Sequence, residues 1–206
     1  RAQVVTFTTT ATHSLETFRR ALNFHLPEDI RVKAVYHMPD GFDPRREATS
    51  REYCYRMWND PVPPVLWRRL AHHIPKPLKL KEMQQAANGL VGDHDMQAFS
   101  GPRERPDAST WRRVFRAEVE RDGKLVTLVM EGNAFLPQQM RRTAAALVEV
   151  GLGKSSVAAF QQLLQPRTHM NIGGSLPALG LTLEQISYPG FHASNVDADP
   201  AKECIQ

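Results

Sequence analysis

Arg51, Tyr53 and Tyr55 alternate with Glu52, Cys54 and Arg56. Successive side chains of an extended strand point to opposite faces, so the arginine and both tyrosines share one face. A guanidinium beside two phenols can clamp phosphate and stack a nucleobase. Ordinary strand packing, with tyrosine hydroxyls at the rim, accounts for the same residues. A second stretch, Gly132-Asn133-Ala134-Phe135-Leu136, leads from a strand into a helix. Small residues there permit close backbone approach, and the helix start offers N–H groups to an anion. Arg141 and Arg142 lie inside that helix. Arg141 borders an apolar stripe of Met140, Ala144, Leu147, Val148 and Gly151, where a charge needs a partner. A third stretch, Gly92-Asp93-His94-Asp95, sets an imidazole between carboxylates. It fits a turn with Asp caps better than a metal site or general base. His72 and His73 are adjacent and so point to different sides of a helix, not toward one ion. No Ser/His/Asp set, phosphate-cradling glycine loop or Cys-x-x-Cys pair occurs, which leaves hydrolase, NTPase and zinc readings without footing.

The elements that must position these residues follow from local pattern. Val4 to Thr8 is β-branched and aromatic and reads as a strand. Ser14 caps a helix through Leu22 with Leu15, Phe18, Ala21 and Leu22 on one face. Leu26-Pro27 stops it, and Ile30 to Tyr36 reads as another strand. Arg51 to Asn59 is a strand with one packed face. Pro63-Pro64 opens a helix to Ile74, since proline is tolerated in a first turn. A further helix covers Leu80 to Leu90. Residues 100–109 form a polar loop. Thr110 to Glu120 and Lys124 to Glu131 are strands joined at Asp122-Gly123, a strong hairpin signal. Pro137 begins a helix to Val150, Ser155-Ser156 begins one to Leu164, and Leu181 to Tyr188 is a last strand. Strands interspersed with helices around such a hairpin argue for an α+β fold with a mixed or antiparallel sheet.

The 206 residues suffice for one large domain or two small ones. No apolar run approaches the roughly 18 residues of a membrane span, and the opening residues do not resemble a signal peptide. The net charge of +4 suits an anionic partner without requiring one. Its distribution says more: arginines recur as the pairs Arg19-Arg20, Arg45-Arg46, Arg68-Arg69, Arg112-Arg113 and Arg141-Arg142. Arginine's planar fork binds phosphate bidentately and stacks on bases, so this usage leans toward RNA, while solvated helix faces explain many of these residues. Cys54 and Cys204, one in a strand-like run and one in a polar tail, fit a reducing cytoplasm rather than a disulfide framework.

Six segments in order resemble the TruA-type tRNA pseudouridine synthase family. Gln3-Val4-Val5-Thr6-Phe7 is similar to the strand after the family's GRTDxGVHA signature. Asn23 with Leu26-Pro27-Glu28-Asp29-Ile30 resembles N-x-x-LPxDI. Ala48 to Tyr55 resembles A-T-x-R-x-Y-x-Y. Leu90 to Asp95 with Phe99 resembles LxGxHDF-x-x-F. Gly132 to Gly151 resembles GNAFLxxMVRxxxGxLxxVG, and Pro177 with Gly180-Leu181 resembles APxxGLyL. Phe42-Asp43-Pro44-Arg45-Arg46-Glu47 departs from the family's F-[HN]-A-R-F-S, which puts its RNA contacts in question. Met96 stands for a Phe, Leu176 for an Ala, and Gln139-Met140 for Met-Val.

The resemblance implies a pseudouridine synthase fold: two ferredoxin-like halves sharing a mixed, mostly antiparallel sheet, with a positive cleft, in a dimer. Residues 1–40 are then the remnant of the first half, 41–192 the second, and 193–206 a disordered tail. It implies isomerisation of uridine to pseudouridine in the anticodon arm of tRNA in the cytoplasm, with no metal and no organic cofactor. The N1–C1′ glycosidic bond breaks, the base turns, and it rejoins through C5. Tyr53 takes the role of a base-stacking, proton-accepting tyrosine. Arg141 pairs with the catalytic carboxylate. Arg45, Arg51 and Arg142 serve as RNA contacts. The aspartate of GRTD, which attacks or deprotonates the nucleotide, belongs just ahead of Arg1, and no GRTD-like sequence occurs in these residues. Two accounts compete: a chain that continues upstream as a full enzyme, which a first residue placed mid-strand favours, or a short, inactive RNA-binding or assembly module.

Overall fold

The computed structural model describes residues 2–105, 107–165 and 172–192. The centre of the sheet is β1 (Ser50–Asn59), where Tyr53, Tyr55 and Met57 alternate with Glu52, Cys54 and Arg56. It pairs antiparallel with β5 (Leu125–Gly132) on one side and β6 (Leu181–Tyr188) on the other. β4 (Trp111–Asp122) continues outward from β5, and β3 (Gly92–Asp95) from β4, both antiparallel. β7 (Phe191–His192) extends β6. β2 (His72–Ile74) runs parallel to the end of β1, so the seven-stranded sheet is mixed but mostly antiparallel.

The β4–β5 hairpin turns at Gly123-Lys124, one position later than Asp122-Gly123, with Asp122 and Leu125 as the last pair. Gly123 takes φ 56°, which glycine adopts without strain. In β5 the buried Val126, Leu128, Met130 and Gly132 alternate with half-buried residues. The first three lie opposite Met57, Tyr55 and Tyr53 of β1. This common face carries the core, covered by α2 (Leu80–Asn88), α3 (Gln139–Gly151) and α4 (Val157–Gln162). α3 packs on α2 so closely that a Cβ on Gly151 would lie 2.5 Å from Met83 Sδ. Ser156 caps α4 by accepting from the Ala159 N–H at 3.1 Å. The opposite face of the sheet is ionic: Arg56 pairs with Glu184, and Arg116 with Glu52 and Glu118.

α1 (Leu15–His25) forms where Ser14 caps it, the hydroxyl accepting from the Thr17 N–H at 3.2 Å. It buries none of its residues and packs locally, Phe18 meeting Phe7 edge-on at 5.9 Å. The Asn23 amide latches the chain beyond it, exchanging bonds of 2.9 and 2.8 Å with the backbone of Val32. Val5, Phe7, Phe24 and Ile30 stay exposed.

Four expected elements differ, one of them the turn expected at Gly92–Asp95, which is strand β3 because it pairs with β4. Residues 4–8 and 30–36 are not strands, because a strand exists only through a ladder and neither stretch joins the sheet among the described residues. The helix expected from Pro63 to Ile74 is a turn over residues 66–70 followed by β2. There the parallel pairing of His72, His73 and Ile74 with Met57, Trp58 and Asn59 overrides local helical preference. The tail at 193–206, with Cys204, lies outside the described residues. Cys54 is buried.

Candidate active site

β1 and the start of α3 converge on a cavity of about 330 Å³. Its lining brings together Tyr53, Arg141 and Arg45 from three separate segments, with Phe135, Leu136, Met140 and Leu181 as apolar walls. Tyr53 reaches it because β1 alternation puts it on the helix-covered face. Its ring meets Phe135 edge-to-face, centroids 5.0 Å apart and planes at 75°, a geometry worth about 0.5–1.5 kcal/mol beyond area burial. Burial pushes the Tyr53 hydroxyl's pKa upward, opposed by the nearby Arg51 charge. Tyr53 is therefore neutral at physiological pH.

The approach to α3 is shaped by a closed turn. Leu136 N–H donates to Gln139 Oε1 at 2.7 Å, and Gln139 N–H returns a bond to Leu136 O at 3.1 Å. Gln138 between them takes φ 58°, the only non-glycine residue with positive φ among those described. Such a conformation costs on the order of 1–3 kcal/mol and persists only where the surroundings fix it. Here Arg142 N–H holds Gln138 O at 3.0 Å and Gly101 N–H holds Pro137 O at 2.7 Å. The exchange of an apolar residue for Gln139 thus leaves the turn intact, since its fully buried amide ties it shut.

Arg141 projects from the first turn of α3, where its Nε donates to Leu176 O at 2.6 Å. The next carbonyl, Pro177 O, accepts from the Tyr55 hydroxyl at 2.7 Å. Burial drives the Tyr55 pKa well upward, with the Arg141 charge opposing. Gly180 allows this approach: a Cβ there would lie 2.5 Å from Arg56 O and 3.1 Å from the Tyr55 ring.

The remaining candidates sit elsewhere. Arg51 spends its guanidinium on the carbonyls of Ala48, Asn133 and Arg45. Arg142 donates to Ile172 O at 2.6 Å. Neither is among the residues lining the cavity. In the Gly92–Asp95 stretch, which is strand β3, Asp95 accepts from the Gln97 N–H and the Thr110 hydroxyl. In the sequence Phe135 and Leu181 stand out only as motif positions. Their role as walls follows from the β1–β6 pairing and the Gly132 turn, which no local pattern encodes.

The sheet and its helices have the architecture of a pseudouridine synthase fold. A family model described as tRNA pseudouridine synthase matches residues 86–189. The chain is 33% identical over 170 residues to tRNA pseudouridine synthase A 2 of Bacillus anthracis, covering 82% of this chain and 69% of that protein. It is 34% identical over 188 residues to tRNA pseudouridine synthase A of Brevibacillus brevis, covering 91% and 77%. To tRNA pseudouridine synthase A of Neisseria gonorrhoeae it is 35% identical over 193 residues, covering 93% and 72%. The chain belongs to the tRNA pseudouridine synthase family.

Proposed function

We propose that the cavity between β1 and α3 receives a uridine flipped out of tRNA and forms most of the site that isomerises it to pseudouridine. The observation that carries this reading is that Tyr53, Arg141 and Arg45 line one cavity together with apolar walls. Flipping a base costs a few kcal/mol of unstacking. Stacking on Tyr53 and basic contacts to phosphate offset that cost, which makes binding salt-sensitive. Arg45 is the RNA contact at the cavity, while Arg51 and Arg142 direct their guanidinium groups to backbone carbonyls.

In this reading Arg141 keeps a catalytic carboxylate ionised, since a neighbouring guanidinium favours the charged form. No described carboxylate forms an ion pair with Arg141, and the partner proposed is the aspartate of a GRTD segment preceding Arg1. The glycosidic N1–C1′ bond breaks, the base turns within the cavity, and C5 bonds to C1′. The proton leaving C5 passes to the Tyr53 oxygen. Because burial disfavours the Tyr53 phenolate, the tyrosine relays this proton while passing its own to the base nitrogen N1 freed from C1′, rather than standing as a free anion. The names of the relatives support tRNA as the substrate. The proposal extends to the anticodon arm as target, a homodimer as the working form and the cytoplasm as compartment.

Tritium release from C5-labelled tRNA tests this, comparing the 206-residue chain with the complete reading frame around it. Release by the complete product and none by the chain alone is expected. Turnover by the 206 residues alone would remove the upstream aspartate from the mechanism, and salt-dependent tRNA binding without release by the complete product would leave a non-catalytic RNA-binding module.

A further inference from the structure

Arg51 was expected among the RNA contacts, yet its guanidinium faces the protein's own backbone. Nη1 donates to Asn133 O at 2.8 Å and to Ala48 O at 3.3 Å, and Nη2 donates to Arg45 O. Two of these carbonyls belong to segments that each contribute a residue to the cavity lining, Arg45 from one and Phe135 from the other. The first is the loop of residues 42–49. Asp43 Oδ1 accepts from the N–H groups of Arg45 and Arg46 at 2.8 and 3.1 Å, and the Asp43 N–H donates to Glu47 Oε1 at 2.9 Å. Tyr188 supports the same loop, its hydroxyl donating to Pro44 O at 3.0 Å and its ring meeting Phe42 at 5.3 Å. The loop is a preformed turn, and it aims Arg45 at the cavity.

The second segment is the turn between β5 and α3. The Asn133 side chain and backbone pair with both peptide groups of Arg113, each at 3.0 Å. Gly132 has no room for a Cβ, which would sit 2.8 Å from Arg113 O. This turn delivers Phe135 onto Tyr53. β1 lies between loop and turn, and Arg51 is the side chain that reaches both.

We infer that Arg51 is a positioning residue for the proposed isomerisation: its three-carbonyl clamp fixes the Arg45 loop relative to the Asn133–Phe135 turn and so sets the width of the cavity mouth. This inference rests on the proposed function. A guanidinium suits the task because its planar fork presents several donors in fixed directions, whereas lysine offers a single flexible point charge. Geometry at such sites is costly to lose, since a misplacement of about 1 Å can lower a rate about 100-fold.

The test uses the complete reading frame with Arg51→Lys and Arg51→Gln. Both variants should lower kcat by about 10- to 100-fold, with KM and the equilibrium Kd for tRNA nearly unchanged and the folded fraction at assay temperature equal to the parent's. Lysine should not rescue. Hydrogen exchange should quicken at residues 42–48 and 132–136 together, and not across β4. A phosphate contact gives the reverse: lysine restores activity, glutamine weakens Kd, and the slope of log Kd against log salt falls by about 1. That pattern overturns the inference, as does a loss of kcat that tracks the folded fraction. Should the parent enzyme release no tritium, the proposed function fails by itself. The exchange measurement still decides whether Arg51 clamps both segments, and unchanged exchange in both would refute it.

Discussion

Arg141 and Leu176 hold each other by a reciprocal pair of bonds: Arg141 Nε donates to Leu176 O at 2.6 Å, and Leu176 N–H returns one to Arg141 O at 3.3 Å. The pair locks the first turn of α3 to the segment leading into β6. It also orients the guanidinium, because the Nε direction fixes the plane of the fork.

Arg141→Ala removes the charge and the side-chain half of the lock, and keeps the backbone bond from Leu176 N–H. A drop in kcat/KM of at least about 100-fold is expected, with a stability loss of about 1.5–3 kcal/mol for a charged hydrogen bond. Arg141→Lys keeps the charge and loses the Nε bond, so it should recover part of the rate. Steady-state kinetics with urea unfolding of all three proteins separates the two effects, and an unchanged rate in Arg141→Ala removes the residue from the site.

Tyr53→Phe keeps the ring against Phe135 and deletes the hydroxyl. Turnover should fall by about 100-fold or more, the range for a lost proton-transfer group, while tRNA Kd holds because stacking persists. Filter binding alongside tritium release checks this. Equal losses in binding and rate would assign Tyr53 to binding alone.

Tyr55 carries a pH signature. Burial raises its folded pKa above the unfolded value of about 10, so the folded state holds the phenolic proton more tightly. The associated stability is complete below about pH 10 and is lost as pH rises toward the folded pKa. Tyr55→Phe should lower stability at pH 7 by about 1 kcal/mol for the missing Pro177 bond and flatten the alkaline limb. Thermal midpoints from pH 7 to 11 read both, and parallel limbs in the two proteins would contradict the assignment.

Two glycines should respond differently to a methyl group. At Gly180 the added Cβ meets backbone, Arg56 O at 2.5 Å, and the Tyr55 ring. At Gly151 it meets the flexible end of Met83 and a Leu78 methyl. Gly180→Ala should cost about 1–3 kcal/mol as overpacking against a fixed wall, and Gly151→Ala less. Urea midpoints rank them, and the reverse order would refute the packing described.

Legibility in the sequence followed the range of the interactions. Ser14 capping α1, the β4–β5 hairpin, α3 and β6 are written in residues a few positions apart, and all appear near where their patterns place them. The face shared by Tyr53 and Tyr55 follows from period-two alternation in the same way. β2 was illegible because its three residues become a strand only by lying beside Met57–Asn59. Residues 4–8 have strand composition but no ladder among the described residues, and composition cannot supply one. The Arg51 clamp was hidden for a related reason: all three of its acceptors, Ala48 O, Asn133 O and Arg45 O, are backbone atoms carrying no side-chain signal.

The central claim is that the Tyr53–Arg141 cavity isomerises uridine in tRNA. Tritium release from C5-labelled tRNA by the complete reading frame tests it most directly, with pseudouridine mapped in the product and Tyr53→Phe run beside the parent. Stoichiometric release with pseudouridine in the anticodon arm, sharply reduced in Tyr53→Phe, is the expected result. Tight tRNA binding with no release, or release indifferent to Tyr53, would contradict it.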